Sequence, residues 1–136
     1  MKRLMVTSIV LLAGISGEVM AACSDPQVTG VALTTLIAGN TVCATRGGEQ
    51  WQEQHRGGPL AGALYDYKKG PSDPVDPTKQ VGNWSIAVDN VTYAYTGGPS
   101  YTYSVHGPIG GPYSFCSGGA EVVGGATFKT GNSSCL

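Results

Sequence analysis

Residues 82–95 read GNWSIAVDNVTYAY, and their alternation decides the fold class. Trp84, Ile86 and Val88 fall on one side of an extended chain, and Val91, Tyr93 and Tyr95 return to that side after Asp89-Asn90. Successive side chains of a strand point to opposite faces, so a period of two marks a half-buried β-strand. Asp and Asn tolerate positive φ, so the pair between the two runs predicts a tight turn and the whole stretch a β-hairpin.

The same period continues outward in both directions. Downstream, TGGPS (96–100) turns the chain, YTYSV (101–105) adds Tyr101, Tyr103 and Val105 to the aromatic face, and YSFCS (113–117), AEVVG (120–124) and ATFKT (126–130) supply one or two further strands. Upstream, TVCAT (41–45), EQWQEQHR (49–56) and GALYDYK (62–68) read as strands, with Gly57-Gly58-Pro59 as a hairpin loop. Tyr65 and Tyr67 share a face of the third of these. KGPSDPVDPTKQ (69–80) has prolines spaced by three and reads as a loop, because proline lacks a backbone donor and biases its predecessor to extended conformations.

SDPQVTGVALTTLIAGNT (24–41) carries helix punctuation: Asp25 as N-cap, Pro26 at the first helical position and Gly39-Asn40 as a stop. Leu33, Leu36 and Ile37 share one face of a helix of about three turns. The fold expected is mainly β, a small antiparallel meander barrel or curved sheet of about 6–8 strands with one short N-terminal helix.

The chain opens MKRLMVTSIVLLAGISGEVMAAC. Lys2 and Arg3, the apolar run Leu4–Ile15 and the small residues before Cys23 have the layout of a secretory signal peptide, so residues 1–21 are read as a leader and 22–136 as a single exported β-rich domain. The apolar run is shorter than the roughly 18 residues a spanning helix needs. The formal net charge of −1 argues against a nucleic-acid partner, which calls for a basic stripe.

Cys23, Cys43, Cys116 and Cys135 are an even set in a chain read as exported, which points to two disulfides in any of three connectivities. Their spacing has no CxxC and fits no zinc site, so no metal or cofactor is expected. Met20-Ala21-Ala22-Cys23 also resembles a bacterial lipobox, which implies a lipidated Cys23 and outer-membrane anchoring as the alternative to a free periplasmic or extracellular protein.

Gly82-Asn83-Trp84 resembles the G-x-W signature of lipocalins and related calycin barrels, displaced from its usual place near the start of the barrel. The order of a short helix, Gly39-Asn40-Thr41, the Trp51-Glu53-His55 strand, Gly82-x-Trp84 and a late Cys116 is similar to that of small exported bacterial proteins with no assigned activity. The first resemblance implies a small barrel; neither implies an activity.

Two groups of residues are candidates for function. Trp84, Tyr93, Tyr95, Tyr101 and Tyr103, with Tyr113 and Phe115, form an aromatic face that serves either as core or as a groove for a small molecule, glycan or protein ligand. Period two places Trp51, Glu53 and His55 together, with Asp66 opposite on the next strand; the trio faces either solvent or a cavity. His106 falls on the outer side and reads as a surface loop residue. No nucleophile elbow or phosphate loop is present, and a noncatalytic binding module follows, with a strand-edge-assembling matrix protein or an inhibitor of an envelope enzyme as alternatives.

Overall fold

The computed structural model describes residues 22–46, 48–66 and 78–135. Residues 1–21, read above as a leader, Tyr67 and most of the proline-rich loop lie outside them. Helix α1 (Gly30–Ile37) is followed by strands β1 (Thr41–Arg46), β2 (Glu49–Gly57), β3 (Ala61–Asp66), β4 (Lys79–Ala87), β5 (Asn90–Tyr95), β6 (Ser100–His106), β7 (Tyr113–Ser117) and β8 (Ala120–Lys129). The strands are antiparallel in sequence order and close when β8 returns to β1 through Thr41↔Lys129, Val42↔Phe128 and Cys43↔Thr127. The meander barrel with one helix is the fold the alternation predicts. Closure pairs the first strand with the last, which removes the edges that a strand-edge assembly would use.

The deciding hairpin is present with its turn one residue earlier than expected. Trp84 pairs with Tyr93, Ile86 with Val91 and Ala87 with Asn90, so Val88 and Asp89 form the turn at φ +48° and +59°. Val88 therefore projects into solvent, 91% exposed, and does not join the inner face. The strained turn is held from outside: Asp89 Oδ1 accepts the Gly30 N–H at 2.8 Å, and the Asp89 carbonyl accepts Gln27 Nε2–H at 2.9 Å.

That clasp explains why the helix is shorter than its punctuation suggests. Residues 25–28 are drawn into pairing with the end of β6, Val28 N–H donating to the Val105 carbonyl and Gly107 N–H to Pro26. Helix α1 starts only at Gly30, with Thr29 as an N-cap that makes no side-chain cap bond and Asp89 supplying the acceptor instead. Neither Asp25 nor Pro26 is helical. His106, expected as a surface loop residue, is the half-buried end of β6: its Nδ1–H donates to the Asp25 carbonyl at 2.8 Å, leaving Nε2 to accept from Ser104 Oγ at 2.9 Å.

The helix lies across one end of the barrel, from the β4–β5 turn to the end of β2, and fully buries Leu33 and Ile37. Its exit is tied by Asn40. Asn40 Nδ2 donates to the Thr35 and Leu36 carbonyls, Oδ1 accepts the Gly131 N–H, and its own carbonyl accepts both the N–H and the ring Nδ1–H of His55. One residue thus satisfies helix C-terminal carbonyls and joins α1, β2 and the C-terminal segment. The core beneath holds Trp84, Tyr93, Phe115, Leu64, Val42, Val91 and Val105, all buried. Gly62 permits the close approach there, since a Cβ on it would lie 1.8 Å from the Arg56 carbonyl oxygen and 3.0 Å from Trp84 Nε1.

Cys23 bonds Cys116, and Cys43 bonds Cys135, which selects one of the three connectivities. A sulfur in a disulfide cannot also carry a thioether-linked lipid, so the Cys23–Cys116 bridge and a lipidated Cys23 are mutually exclusive. Each bridge closes a long loop, and natural bridges of this kind contribute about 2–4 kcal/mol. Among the described residues no helix is long and apolar enough to cross a membrane.

Candidate functional site

Strand β2 builds the site because its inward positions run along the barrel axis. Trp51, Glu53 and His55 follow one another from the open end, where β1 finishes and β4 begins, to the end covered by α1. All three face inward, not to solvent. Trp51 is half-buried, Glu53 is 3% exposed and His55 fully buried. Gln52 and Gln54, on the opposite face, are buried as well; Gln52 is covered by the C-terminal segment, its Oε1 accepting the Cys135 N–H.

At the covered end every polar group of this row is satisfied. His55 Nδ1–H donates to the Asn40 carbonyl at 3.0 Å, which fixes the tautomer and leaves Nε2 to accept the Tyr93 hydroxyl at 2.9 Å. Trp84 donates its indole N–H to the Arg56 carbonyl at 3.0 Å and meets His55 edge-on. Burial lowers the His55 pKa to about 4 against the opposing pull of Asn40, so the ring is neutral. Burial also holds the Tyr93 hydroxyl well above its ordinary value. Trp84, Tyr93 and His55 are closed off here and present no surface to a ligand.

At the open end lies a cleft of about 640 Å³. Its walls include Trp51, Tyr95, Tyr101 and Tyr103, and Glu53 stands at its floor. Tyr101 and Tyr103 are stacked, with interplanar angle 10°, and Tyr95 meets Tyr101 edge-on. β7 pairs with β6 only at Ser104–His106, so Ser100–Thr102 lie past that ladder and are exposed, while Tyr103 beside them stays largely buried. Arg46 and Asp66 reach the same cleft from the ends of β1 and β3.

Glu53 is the exceptional group in this cleft. Its Oε1 accepts the Tyr95 hydroxyl at 2.6 Å, whereas Oε2 is buried with no hydrogen-bond partner among the described residues. Asp66 sits directly across the β2–β3 ladder. Desolvation, opposed by the Tyr95 hydrogen bond and the neighbouring Trp51 indole N–H, which falls short of hydrogen-bond geometry, and reinforced by the Asp66 charge, raises the Glu53 pKa to about 7. Burial and the neighbouring Glu53 charge push the Tyr95 hydroxyl up in turn, so it remains a donor.

The structure therefore divides the sequence candidates. Trp51, Glu53, Tyr95, Tyr101 and Tyr103 come together at the cleft with Asp66, while Trp84, Tyr93 and His55 belong to the covered end. Arg46 was not legible as a site residue, although Val42, Ala44 and Arg46 share the inward parity of β1. Glu53 and Asp66 face one another, but His55 lies deeper with both ring nitrogens occupied, so the three do not converge. Among the described residues no group of three His, Cys, Asp or Glu side chains is placed to hold a metal. Set against known protein families, curated proteins and solved structures, the chain matches none.

Proposed function

We propose that the protein is an exported, noncatalytic binding module of the cell envelope or extracellular space that takes a small ligand at the open end of its barrel. The observation that carries this reading is the unpartnered, buried Oε2 of Glu53 at the floor of an aromatic-walled cleft. An unsatisfied buried polar group costs about 1–3 kcal/mol, more when charged, and persists in a fold where something offsets it or uses it. A cleft of about 640 Å³ falls within the size range of small-molecule sites, and an eight-stranded barrel is wide enough for one such ligand.

Two further features support the reading. His55 has both ring nitrogens occupied and lies deeper than the cleft, so it does not join Glu53 and Asp66 there, which supports binding over turnover. Two disulfides fit an oxidising compartment, as the leader-like opening of the chain does. The test is isothermal calorimetry of the purified protein against small amines, glycans, peptides and lipids, repeated with Tyr101→Ala. Heat from at least one class that weakens in the variant is expected; silence across all four classes overturns the reading.

A further inference from the structure

We infer that the ligand of this cleft is a small organic cation whose ammonium group is received by Glu53 among the aromatic side chains of Trp51, Tyr95, Tyr101 and Tyr103. This deepens the binding-module reading and rests on it. Two independent observations converge. The first is the buried Oε2, an acceptor with no hydrogen-bond partner among the described residues. The second is the set of aromatic side chains that line the same cleft, Tyr101 and Tyr103 stacked and Trp51 and Tyr95 completing the walls. Aromatic faces carry negative potential and attract cations, most strongly where water is displaced. A carboxylate beneath such a cage adds a charge-assisted hydrogen bond.

The charges around the cleft agree. Among the described residues Glu53 and Asp66 contribute two carboxylates to the lining and Arg46 a basic group, exposed at the rim. An anionic ligand would pass Arg46 and then meet the Glu53 carboxyl at the floor. A neutral ligand with a donor would satisfy Oε2 but would gain less from the aromatic faces. The walls come from strands of a closed barrel, so the space suits a free small amine better than a folded partner.

Proton linkage gives the cation a signature. The groups facing Glu53 are Asp66 on β3, with Lys79 opposite it on β4, Arg46 on β1, Trp51 on β2, Tyr93 and Tyr95 on β5 and Tyr101 and Tyr103 on β6; β7 and β8 contribute Ser117, Val122 and Val123 to the cleft. A cation favours ionised Glu53, so its binding expels the proton that the carboxyl retains below about pH 7. Affinity for an ammonium ligand therefore rises between pH 6 and pH 8, and affinity for its neutral counterpart does not.

The experiment compares 2-phenylethylammonium, 2-phenylethanol, 3-phenylpropionate and Nα-acetyl-lysinamide by NMR titration, reading the indole N–H of Trp51 with that of Trp84 as the internal reference. The ammonium ligand should bind about tenfold tighter than the alcohol, a ratio of the size one charged contact supplies. Glu53→Gln should collapse that ratio while circular dichroism and Tm show an intact fold. Tyr101→Ala, at an exposed wall position, should weaken the ammonium ligand and leave folding untouched.

Equal or tighter binding of the alcohol or the carboxylate overturns the cation assignment but leaves a ligand site standing. Preference for acetyl-lysinamide overturns the free-amine source and assigns a protein side chain instead. Silence with all four probes also overturns the cation assignment, and the broader calorimetric screen then decides separately whether the cleft binds anything.

Discussion

Glu53 and His55 lie two residues apart on the same face of the same strand, yet they occupy opposite kinds of environment. At the covered end His55 is fully partnered, Trp84 has its carbonyl and Asn40 joins three segments. At the open end a carboxyl lies buried with one oxygen unmatched beneath aromatic rings, one of which is 46% exposed. The difference teaches where the molecule stores stability and where it spends it. Satisfied polar groups under a helix rigidify a core, whereas an unsatisfied one beside a cleft makes a demand on whatever enters.

The comparison is broken most directly at Trp84. Trp84→Ala should cost about 3–5 kcal/mol, because a large ring 1% exposed leaves a cavity under the helix and strands its partner carbonyl. Chemical denaturation measures it; a loss below about 1 kcal/mol, the range of a surface change, would show that the covered end is not the stabilising one.

Next in size is a pair of opposing pH effects. Glu53 has a folded pKa of about 7 against 4.5, so the folded protein holds its proton more tightly and the group's contribution is lost as pH rises through that interval. His55 has a folded pKa of about 4 against 6.5, so its contribution is present above 6.5 and lost as pH falls toward 4. Each amounts to about 3 kcal/mol in order of magnitude. Between pH 4.5 and 6.5 they cancel. The stability difference between wild type and Glu53→Gln should therefore move by that amount from pH 4.5 to 8 in favour of the variant, and the variant alone should weaken steeply toward acid. Parallel profiles for the two proteins would contradict the buried carboxyl.

Asn40→Ala removes bonds to Thr35, Leu36 and Gly131 and should cost about 2 kcal/mol, with hydrogen exchange rising first in α1 and the C-terminal segment. The smallest effect sharpens the contrast from the other side: Tyr101→Ala should change stability by less than about 0.5 kcal/mol, as expected of an exposed site outside the core. A loss as large as that of Trp84→Ala would mean that the mouth, too, is core.

Much of this was legible in the alternation. Trp84, Tyr93, Tyr103 and Phe115 fall on one face because a strand has no other periodicity to offer, and the same parity puts Trp51, Glu53 and His55 in a row. What parity does not encode is position along the barrel axis, which separates the accessible Tyr101 from the enclosed Tyr93; that depends on register and on β6 outrunning its neighbour. The burial of Gln52 depends on a C-terminal segment brought back by Cys135, a contact across 83 residues that no local pattern announces. The turn at Val88-Asp89 was misplaced because a β-branched residue there is unfavourable on its own and is held by contacts from Gln27 and Gly30. AEVVG and ATFKT, which allow one strand or two, form the single strand β8, in which Gly125 takes φ +65° and lets the strand continue.

The arrangement of the two bridges has a consequence for how the protein survives damage. Cys23 and Cys43 precede Cys116 and Cys135, and each bond joins one member of the early pair to one of the late pair. A protease that cuts the chain once anywhere between residues 44 and 115 thus produces two polypeptides that stay doubly tethered. The nicked molecule would run as one species on a nonreducing gel and as two after reduction, and its cleft, walled by residues from both pieces, would remain assembled.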